Sequence, residues 1–195
     1  MKKLFSWIDR TPNDAAPATR FYAYLIDWVV GEILCALPAV LMYGGLTKRN
    51  DVFTDLYVFP ALGFDRAWSY LAGGLCIAAA IIYFVYIPWK KNPGQTFGKK
   101  IMKIKVVNND GSTASFRSLF IREFVGMMIV ESGAIVVGAY FRQIATLLLS
   151  YDVDYWWQLI GNFLLIVSGI LVFSTASHRA LHDYLAGTKV IQAQV

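Results

Sequence analysis

Four carboxylic acids lie inside stretches of this sequence that are otherwise apolar: Asp27, Glu32, Glu123 and Glu131. A bare carboxylate is costly in hydrocarbon, so acids in such stretches face other protein or trapped water. Acidic oxygens are good ligands for hard cations, and burial favours the protonated form of a carboxyl group. The four acids are therefore candidates for a path that carries a cation or a proton through a membrane.

The depth of these acids along their helices is consistent with such a path. Glu32 lies roughly 18 Å beyond Arg20, and Glu131 lies roughly 14 Å beyond Arg122, at the α-helical rise per residue. If both helices run in the same direction, these two glutamates form a deep tier and the other two acids form a shallower one. The alternative is that Glu32 faces the outer leaflet as a neutral or hydrogen-bonded acid, and that Glu123 pairs with neighbours of Arg122.

The chain around these acids has the composition of a polytopic membrane protein. It has 195 residues, of which 57% are hydrophobic and 16% are charged, and its mean hydropathy is +0.49. A soluble core does not require several apolar runs of membrane-spanning length. Residues 1–19 form an N-terminal arm without signal-peptide features, and residues 192–195 form a tail. We predict an all-α integral membrane fold with four transmembrane helices, at about residues 20–44, 67–89, 118–138 and 158–176.

The distribution of basic residues predicts the orientation. Most of the 18 Lys and Arg residues fall in the arm, in the loop over residues 90–117 and in the C-terminal segment, which places both termini in the cytoplasm. The same clustering beside apolar segments explains the net charge of +5 without nucleic-acid binding. Residues 139–157 are expected to form a loop or a partly embedded outer segment, in which residues 144–149 could form a re-entrant or interfacial helix.

The basic loop and the C-terminal segment each contain a short alternating pattern. Residues 103–107 alternate and precede the turn sequence Asn-Asn-Asp-Gly, and residues 188–191 alternate as well. We predict that they pair as two short strands and form a small cytoplasmic cap under the helices. Lys99 and Lys100 would then face anionic lipid headgroups. A phosphate-binding loop is the other interpretation of this segment, but the P-loop spacing is missing.

Three separate blocks of sequence resemble the RDD family of small bacterial membrane proteins. Arg20 and Asp27 are placed like the family's first two signature residues, and GQTFGKKIMKIKVV at residues 94–107 resembles its G-x-T-x-G-K block. HDYLAGTKVI at residues 182–191 resembles its HD-x-x-A-G-T block. The resemblance implies a transmembrane domain over residues 20–191. The signature positions that it implies are Arg20, Asp27, Gly94, Thr96, Gly98, Lys99, His182, Asp183, Gly187 and Thr188.

The resemblance also implies a multi-pass protein of the bacterial cell membrane. Some members of the family are described as sodium (or lithium, potassium)/proton antiporters, and a eukaryotic relative is described as a partner in a protein-quality-control complex. We therefore expect transport of a small cation coupled to protons, which with so few helices would require a homo-oligomer. The alternative is a non-catalytic scaffold in a larger membrane complex, with the basic cap as its docking surface.

The signature residues Arg20, Asp27 and Asp183 leave more than one role open. Arg20 and Asp183 both fall at the cytoplasmic boundary, where an ion pair would tie the C-terminal segment to the first helix. Asp27 has no basic residue three or four positions away, and Arg122 is the nearest candidate partner at similar depth. For Asp27, structural pairing and the carriage of ions or protons are equally compatible with the sequence.

Other reactive residues give weaker signals. His178 and His182 are spaced as on one helical face with Asp183 adjacent, which could bind a metal, but a hydrogen-bonding role for His182 is favoured. Cys35 and Cys76 lie in apolar segments and are interpreted as packing residues. No arrangement of Ser, His, Asp or Cys indicates a nucleophilic enzyme. The sequence thus predicts no metal, no cofactor and no enzymatic activity.

Overall fold

The computed structural model describes residues 13–132 and 136–193. Within these ranges two helical stretches, Ile82–Lys91 and Phe120–Val130, are π-helical. Most of the predicted N-terminal arm and the last two residues of the predicted tail lie outside the described residues. The helices and strands, in chain order, are α1 Pro17–Thr47, α2 Val58–Ala61, α3 Arg66–Lys91, α4 Phe97–Ile101, β1 Ile104–Asn108, α5 (residues 116–130), α6 Val136–Leu149, α7 Asp154–Ser174, α8 Leu181–Ala186 and β2 Thr188–Gln192.

Helices α1, α3 and α7 are each long and apolar enough to cross a membrane. They correspond to the first, second and fourth predicted segments, so the membrane character expected from composition is confirmed. The last of them, α7, begins earlier in the chain than predicted. There the side chain of Asp152 accepts a hydrogen bond from the N–H of Asp154 at 3.2 Å, which satisfies a donor at the exposed start of the helix.

The third predicted segment, residues 118–138, is not one continuous helix, and that prediction is wrong. α5 ends at Val130 with Glu131 as its C-cap, and the next described helix begins at Val136. Glu131 is buried, and its carboxylate accepts hydrogen bonds from groups on other elements. In a continuous α-helix the Glu131 side chain would be confined to one face of that helix. The break after Val130 lets its carboxylate reach hydrogen-bond donors on other elements.

Helix α6 covers residues 139–149 of the predicted outer segment, so this part is not a loop; the helix includes residues 144–149, as the alternative expects, and begins earlier in the chain. At the end of α6, the side chain of Arg66 donates to the carbonyl of Leu147 at 3.3 Å, so α6 finishes beside the start of α3. At the other end of the bundle, α5 begins near α8, where Arg122 binds Asp183. Each of α5 and α6 is too short to cross a bilayer alone.

Helices α1 and α3 pack against each other through small residues. Ala72, Cys76 and Ala80 of α3 are completely buried, which confirms the small-residue face that the sequence predicts. Small side chains let two helices in a membrane approach closely. The buried stripe of α1 repeats every four residues and consists of Ala23, Asp27, Gly31, Cys35, Ala39 and Tyr43. Asp27 is therefore fixed on the buried face of α1.

Strands β1 and β2 form an antiparallel pair, which confirms the predicted two-stranded cap. Val106 lies opposite Val190, and both face the core together with Ile104. Side chains between them are partly exposed, in agreement with the alternation of the sequence. The sheet lies at the start of α1, because the N–H of Ala15 donates to the carbonyl of Val190 at 3.3 Å.

Helix α4 touches α1 at a point where only glycine fits. A Cβ added to Gly98 would lie 2.3 Å from the carbonyl oxygen of Ala23 and 2.9 Å from the carboxyl carbon of Asp27. The first of these atoms belongs to the backbone of a long helix and cannot rotate away as the end of a flexible side chain can. The signature glycine at this position is therefore required for close packing between the cap and the first membrane-spanning helix.

We expect Gly98→Ala to lower the melting temperature of the detergent-solubilised protein, because overpacking of this kind costs about 1–3 kcal/mol. Gly74→Ala on α3 is the matched control, since a Cβ added there meets nothing within 4 Å. Tryptophan fluorescence during heating would measure both variants. If Gly98→Ala melted at the same temperature as the unmodified protein, the close contact between α4 and α1 would be wrong.

Candidate functional site

A cavity of about 340 Å³ lies between α1, α5, α7 and α8. Most of its wall is apolar, and aromatic side chains such as Phe21, Tyr24, Trp28, Phe84 and Phe173 contribute to it. All four of the acids that the sequence singles out line this one cavity. Its charged and polar lining consists of Arg20, Asp27, Glu32, Lys99, Arg122, Glu123, Glu131, Ser168 and His182.

Asp27 is held by hydrogen bonds to both of its carboxylate oxygens. The Tyr83 hydroxyl donates to Oδ1 at 2.9 Å, the N–H of Gly98 donates to the same oxygen at 2.8 Å, and the Thr96 hydroxyl donates to Oδ2. The ammonium group of Lys99 lies 3.9 Å from Oδ2. These partners come from α3 and from the segment around α4, so Asp27 joins α1 to both. Its surroundings are those of a structural acid.

Lys99 points into the protein rather than towards lipid headgroups. Its side chain is 12% exposed, and its Nζ lies 3.3 Å from Oε1 of Glu123 and 3.9 Å from Oδ2 of Asp27. Two expectations are therefore wrong: Lys99 does not face the headgroups, and the cation beside Asp27 is not Arg122. The physical reason is that two buried carboxylates need a cation close by, and the long lysine side chain reaches both. Lys100, the next residue, is exposed.

Arg122 connects three other ionisable groups. Its guanidinium binds Glu123, its Nε lies 3.2 Å from Oδ1 of Asp183, and its Nη2 lies 3.2 Å from Nε2 of His182. Arg122 and Glu123 are neighbours in sequence and are both buried, in the π-helical part of α5. π-helical turns are rare and occur frequently at functional sites. The network joins α5 to α8 through charges that would be costly to leave unpaired.

Arg20 and Asp183 form the ion pair that the sequence predicts. Nη2 of Arg20 lies 2.6 Å from Oδ2 of Asp183, and the guanidinium also donates to the carbonyl of His178. The N–H of Ala180 donates to Asp183 at 3.0 Å. Burial by itself raises the pKa of the Asp183 carboxyl, but Arg20 and Arg122 outweigh it and hold that pKa well below its usual range. An ionised, buried carboxylate thus ties α8 to the start of α1.

Glu131 is buried and is bound by groups from α7 and α8. The Ser168 hydroxyl donates to it at 3.0 Å, the N–H of His182 donates at 3.0 Å, and Nδ1 of His182 lies 3.0 Å from its Oε2. His182 can come this close to α5 because of Gly126, where an added Cβ would lie 2.6 Å from the His182 Cβ. In the described part of the chain, His182 is the sole ion-pair partner of Glu131.

Glu32 lines the cavity at the point where α6 begins. The N–H of Val136, the first residue of α6, donates to Oε1 of Glu32 at 3.0 Å, and the side chain of Trp28 donates a further hydrogen bond. A carboxylate at the N-terminus of a helix is stabilised by the helix dipole. Across residues 13–132 and 136–193, Glu32 forms no salt bridge. It is thus an acid without a cationic partner inside a membrane-spanning bundle.

The two histidines have separate partners. Nδ1 of His178 lies 2.8 Å from the carbonyl of Val172, whereas His182 contacts Glu131 and Arg122. Among the residues that the structure describes, no group of three or more His, Cys, Asp or Glu side chains is placed to hold a metal ion. His182 therefore takes part in the charge network of α5 and α8.

The remaining signature residues shape the cap. Gly94 has a φ of +74°, and a Cβ there would lie 2.2 Å from the carbonyl oxygen of Val106, so this turn requires glycine. Gly187 ends α8 in the left-handed conformation, with a φ of 63°. Thr188 begins β2 and is completely buried, and its hydroxyl has no hydrogen-bond partner within the described residues. These three residues set the course of the backbone under the cavity.

Two polar residues of the site, Tyr83 and Ser168, are not singled out by the sequence. Ser168 and Gly161 are the buried residues of α7, a helix of 21 residues that is otherwise mostly apolar. An isolated serine in such a helix is a signal that could have identified Ser168. Tyr83 lies among several aromatic residues of α3, and no local pattern distinguishes it from them.

Asp183→Asn removes the negative charge that lies between Arg20 and Arg122. We expect the variant to lose about 3–5 kcal/mol of unfolding free energy, because two buried guanidinium groups lose a shared partner. Asp51→Asn is the matched control: its ion pair with Arg49 is about half exposed, so the loss should be much smaller. Unfolding in detergent, followed by circular dichroism, would measure both. Equal losses in the two variants would contradict the structural role of Asp183.

Comparison with known proteins identifies the family. The sequence model of the RDD family matches residues 15–187, a range that contains the four cavity acids and the Arg20–Asp183 ion pair. No curated protein and no solved structure matches the chain. The match extends over most of the chain, and helices of membrane-spanning length lie within it. The chain therefore belongs to the RDD family and is a membrane protein.

Proposed function

We propose that this protein carries a cation across the bacterial cell membrane in exchange for protons, and that Glu32 and Glu131 bind both. Family membership and the three long apolar helices support a location in a membrane. The observation that carries the transport proposal is the way in which the cavity acids are paired. Among the described residues, two of them have a lysine or arginine partner, and two do not.

The neutralised acids are Asp27 and Glu123. Lys99 lies between them, and Arg122 binds Glu123 directly. A fixed cation close to a carboxylate offsets its charge and leaves a mobile cation little to gain by binding there. We therefore assign these two acids to positioning rather than to the ion path in which the sequence analysis places them. In this proposal they hold the cap and α5 against α1.

The remaining acids, Glu32 and Glu131, have no lysine or arginine partner in the described part of the chain. Glu131 faces His182, and Glu32 faces a backbone N–H and an indole. Hydrogen-bond donors of this kind stabilise a carboxylate without neutralising it. Both acids can therefore bind a proton or a cation from the cavity.

The discontinuous α5–α6 segment supports the same assignment. α5 ends at Val130, next to Glu131, and α6 begins at Val136, whose N–H binds Glu32. In transporters, broken helices inside the membrane expose backbone groups and helix termini at the substrate site. The break in this protein coincides with the two acids that lack fixed counter-charges. A helix interruption at membrane depth is tolerated where it lines a cavity, as it does here.

Coupling between cation and proton follows from competition for the same oxygens. When Glu32 and Glu131 are protonated, the cavity holds no surplus negative charge to attract a cation. When they release protons, the cavity gains negative charge and binds a cation more tightly. When the two acids bind a cation on one side of the membrane and protons on the other side, the cation is exchanged for protons. Because the bundle is small, we further propose that the transporting unit is a homo-oligomer.

The scaffold alternative assigns function to the basic surface of the cap. Lys99 does not contribute to this surface, but Lys100 is exposed beside Phe97 and Ile101 of α4, which are 52% and 51% exposed. Exposed apolar and basic side chains on one short helix suit an anionic membrane surface. We therefore propose lipid headgroups, rather than a protein, as the partner of this surface.

The transport proposal is tested with purified protein in liposomes that contain a pH-sensitive dye. An inward gradient of sodium, lithium or potassium should drive proton efflux in the unmodified protein. We expect Glu32→Gln and Glu131→Gln each to reduce this flux strongly, and the double variant to behave like empty liposomes, because the amide cannot exchange a proton. Asp14→Asn, an exposed acid near the start of α1, is the matched control and should transport normally.

Equal flux in the unmodified protein and the Glu32→Gln/Glu131→Gln variant would overturn the assignment of these acids. Absence of flux with all three cations from correctly folded protein would overturn transport of alkali cations. Melting temperatures close to that of the unmodified protein would show that the variants are folded in either case.

A further inference from the structure

The cavity opens sideways, between the two outer helices α1 and α7. These helices make no extensive contact with each other, and side chains at their facing edges both line the cavity and reach the surface. Phe21, Trp28 and Phe173 are 47%, 43% and 63% exposed in this way. Because α1 and α7 have membrane-spanning length, an opening between them faces the hydrocarbon of the bilayer. A molecule dissolved in the bilayer could therefore enter without passing through water.

The lining of the cavity is divided between helices into an apolar part and a polar part. Leu165, Val172 and Phe173 of α7 and Met127 of α5 belong to the apolar part, and the acids and their partners on α1, α4, α5 and α8 form the polar part. The volume, about 340 Å³, is in the range of sites for small organic molecules. This division matches an amphiphile, with its polar head at the acids and its apolar tail towards the opening.

The polar part of the lining selects the charge of such a head group. Of the four cavity acids, Glu32 and Glu131 have no lysine or arginine partner among the described residues, so the lining favours a positive head. Tyr24 and Trp28 line the cavity on the same helix as Glu32, and the Trp28 side chain binds that carboxylate. Aromatic faces beside a carboxylate are the usual surroundings of a bound organic ammonium group.

We propose that the cavity binds a cationic amphiphile from the bilayer, with its ammonium head at Glu32 and its alkyl chain between α1 and α7. This inference names a substrate class for the transport proposed above and in that sense rests on it. Binding itself, however, depends on the cavity alone. The two ideas can therefore fail separately.

Gly169 of α7 offers a way to fill the cavity without disturbing the fold. It lines the cavity, and a Cβ added to it meets nothing within 4 Å. Gly169→Leu should therefore place its side chain in the space that the alkyl chain would occupy. Gly74→Leu is the matched control, because Gly74 is an exposed glycine of α3 with the same free surroundings and does not line the cavity.

The test measures equilibrium binding of radiolabelled decyltrimethylammonium to the protein in nanodiscs, with empty nanodiscs subtracted. We expect saturable binding to the unmodified protein and to Gly74→Leu, and loss of saturable binding in Gly169→Leu and Glu32→Gln. Unlabelled decyltrimethylammonium should compete, whereas tetramethylammonium, which lacks the tail, and decanol, which lacks the charge, should not. Melting temperatures would show that all variants are folded.

Equal binding in Gly169→Leu and the unmodified protein would overturn the proposed position of the tail, and equal binding in Glu32→Gln would overturn the position of the head. Competition by decanol would show an apolar site without charge selection, and this too would overturn the proposal. Alkali-cation exchange without saturable amphiphile binding would leave the proposed transport intact and remove this inference. Saturable amphiphile binding without any proton exchange would leave this inference intact and remove the proposed transport.

Discussion

The need to neutralise buried charge at one end of a membrane-spanning bundle determines most of this structure. Arg122 is the clearest case, because its guanidinium binds Glu123, Asp183 and His182 at the same time. Removing any one partner would leave charge unpaired in a low-dielectric interior, which is strongly unfavourable. The C-terminal helix α8 therefore lies against α5 instead of extending into solvent. The two-stranded cap follows, since β2 comes directly after α8 and pairs with β1 beneath the helices.

Local sequence patterns were sufficient for the features that depend on local physics. Apolar runs identified α1, α3 and α7, and alternation with a strong turn identified the two strands of the cap. Arg20 and Asp183 could be paired because both fall at the same predicted boundary. Lys99 and the break after α5 could not be found this way, because both depend on partners far away in sequence. Lys99 turns inward to serve acids on α1 and α5, and Glu131 ends its helix to reach α7 and α8.

The four acids that look alike in sequence therefore divide into two kinds. Asp27 and Glu123 are paired with fixed cations and hold elements together, whereas Glu32 and Glu131 meet hydrogen-bond donors and a histidine. This division is what the proposed exchange requires, since some buried charge must stay fixed while other charge changes with occupancy. It also explains the signature residues, most of which either bind the fixed charges or bend the backbone of the cap around them.

The division can be tested directly by infrared difference spectroscopy of the protein in lipid, which detects the carbonyl stretch of a protonated carboxyl group as pH is lowered. We predict that the part of this signal from carboxyl groups shielded from water, which absorb at higher frequency than hydrated ones, shrinks in Glu32→Gln and in Glu131→Gln. The same part is unchanged in Asp14→Asn, because Asp14 is exposed. A protonation signal that is the same in all three variants as in the unmodified protein would contradict it. In that case the two glutamates would not be the groups that exchange protons in this membrane protein.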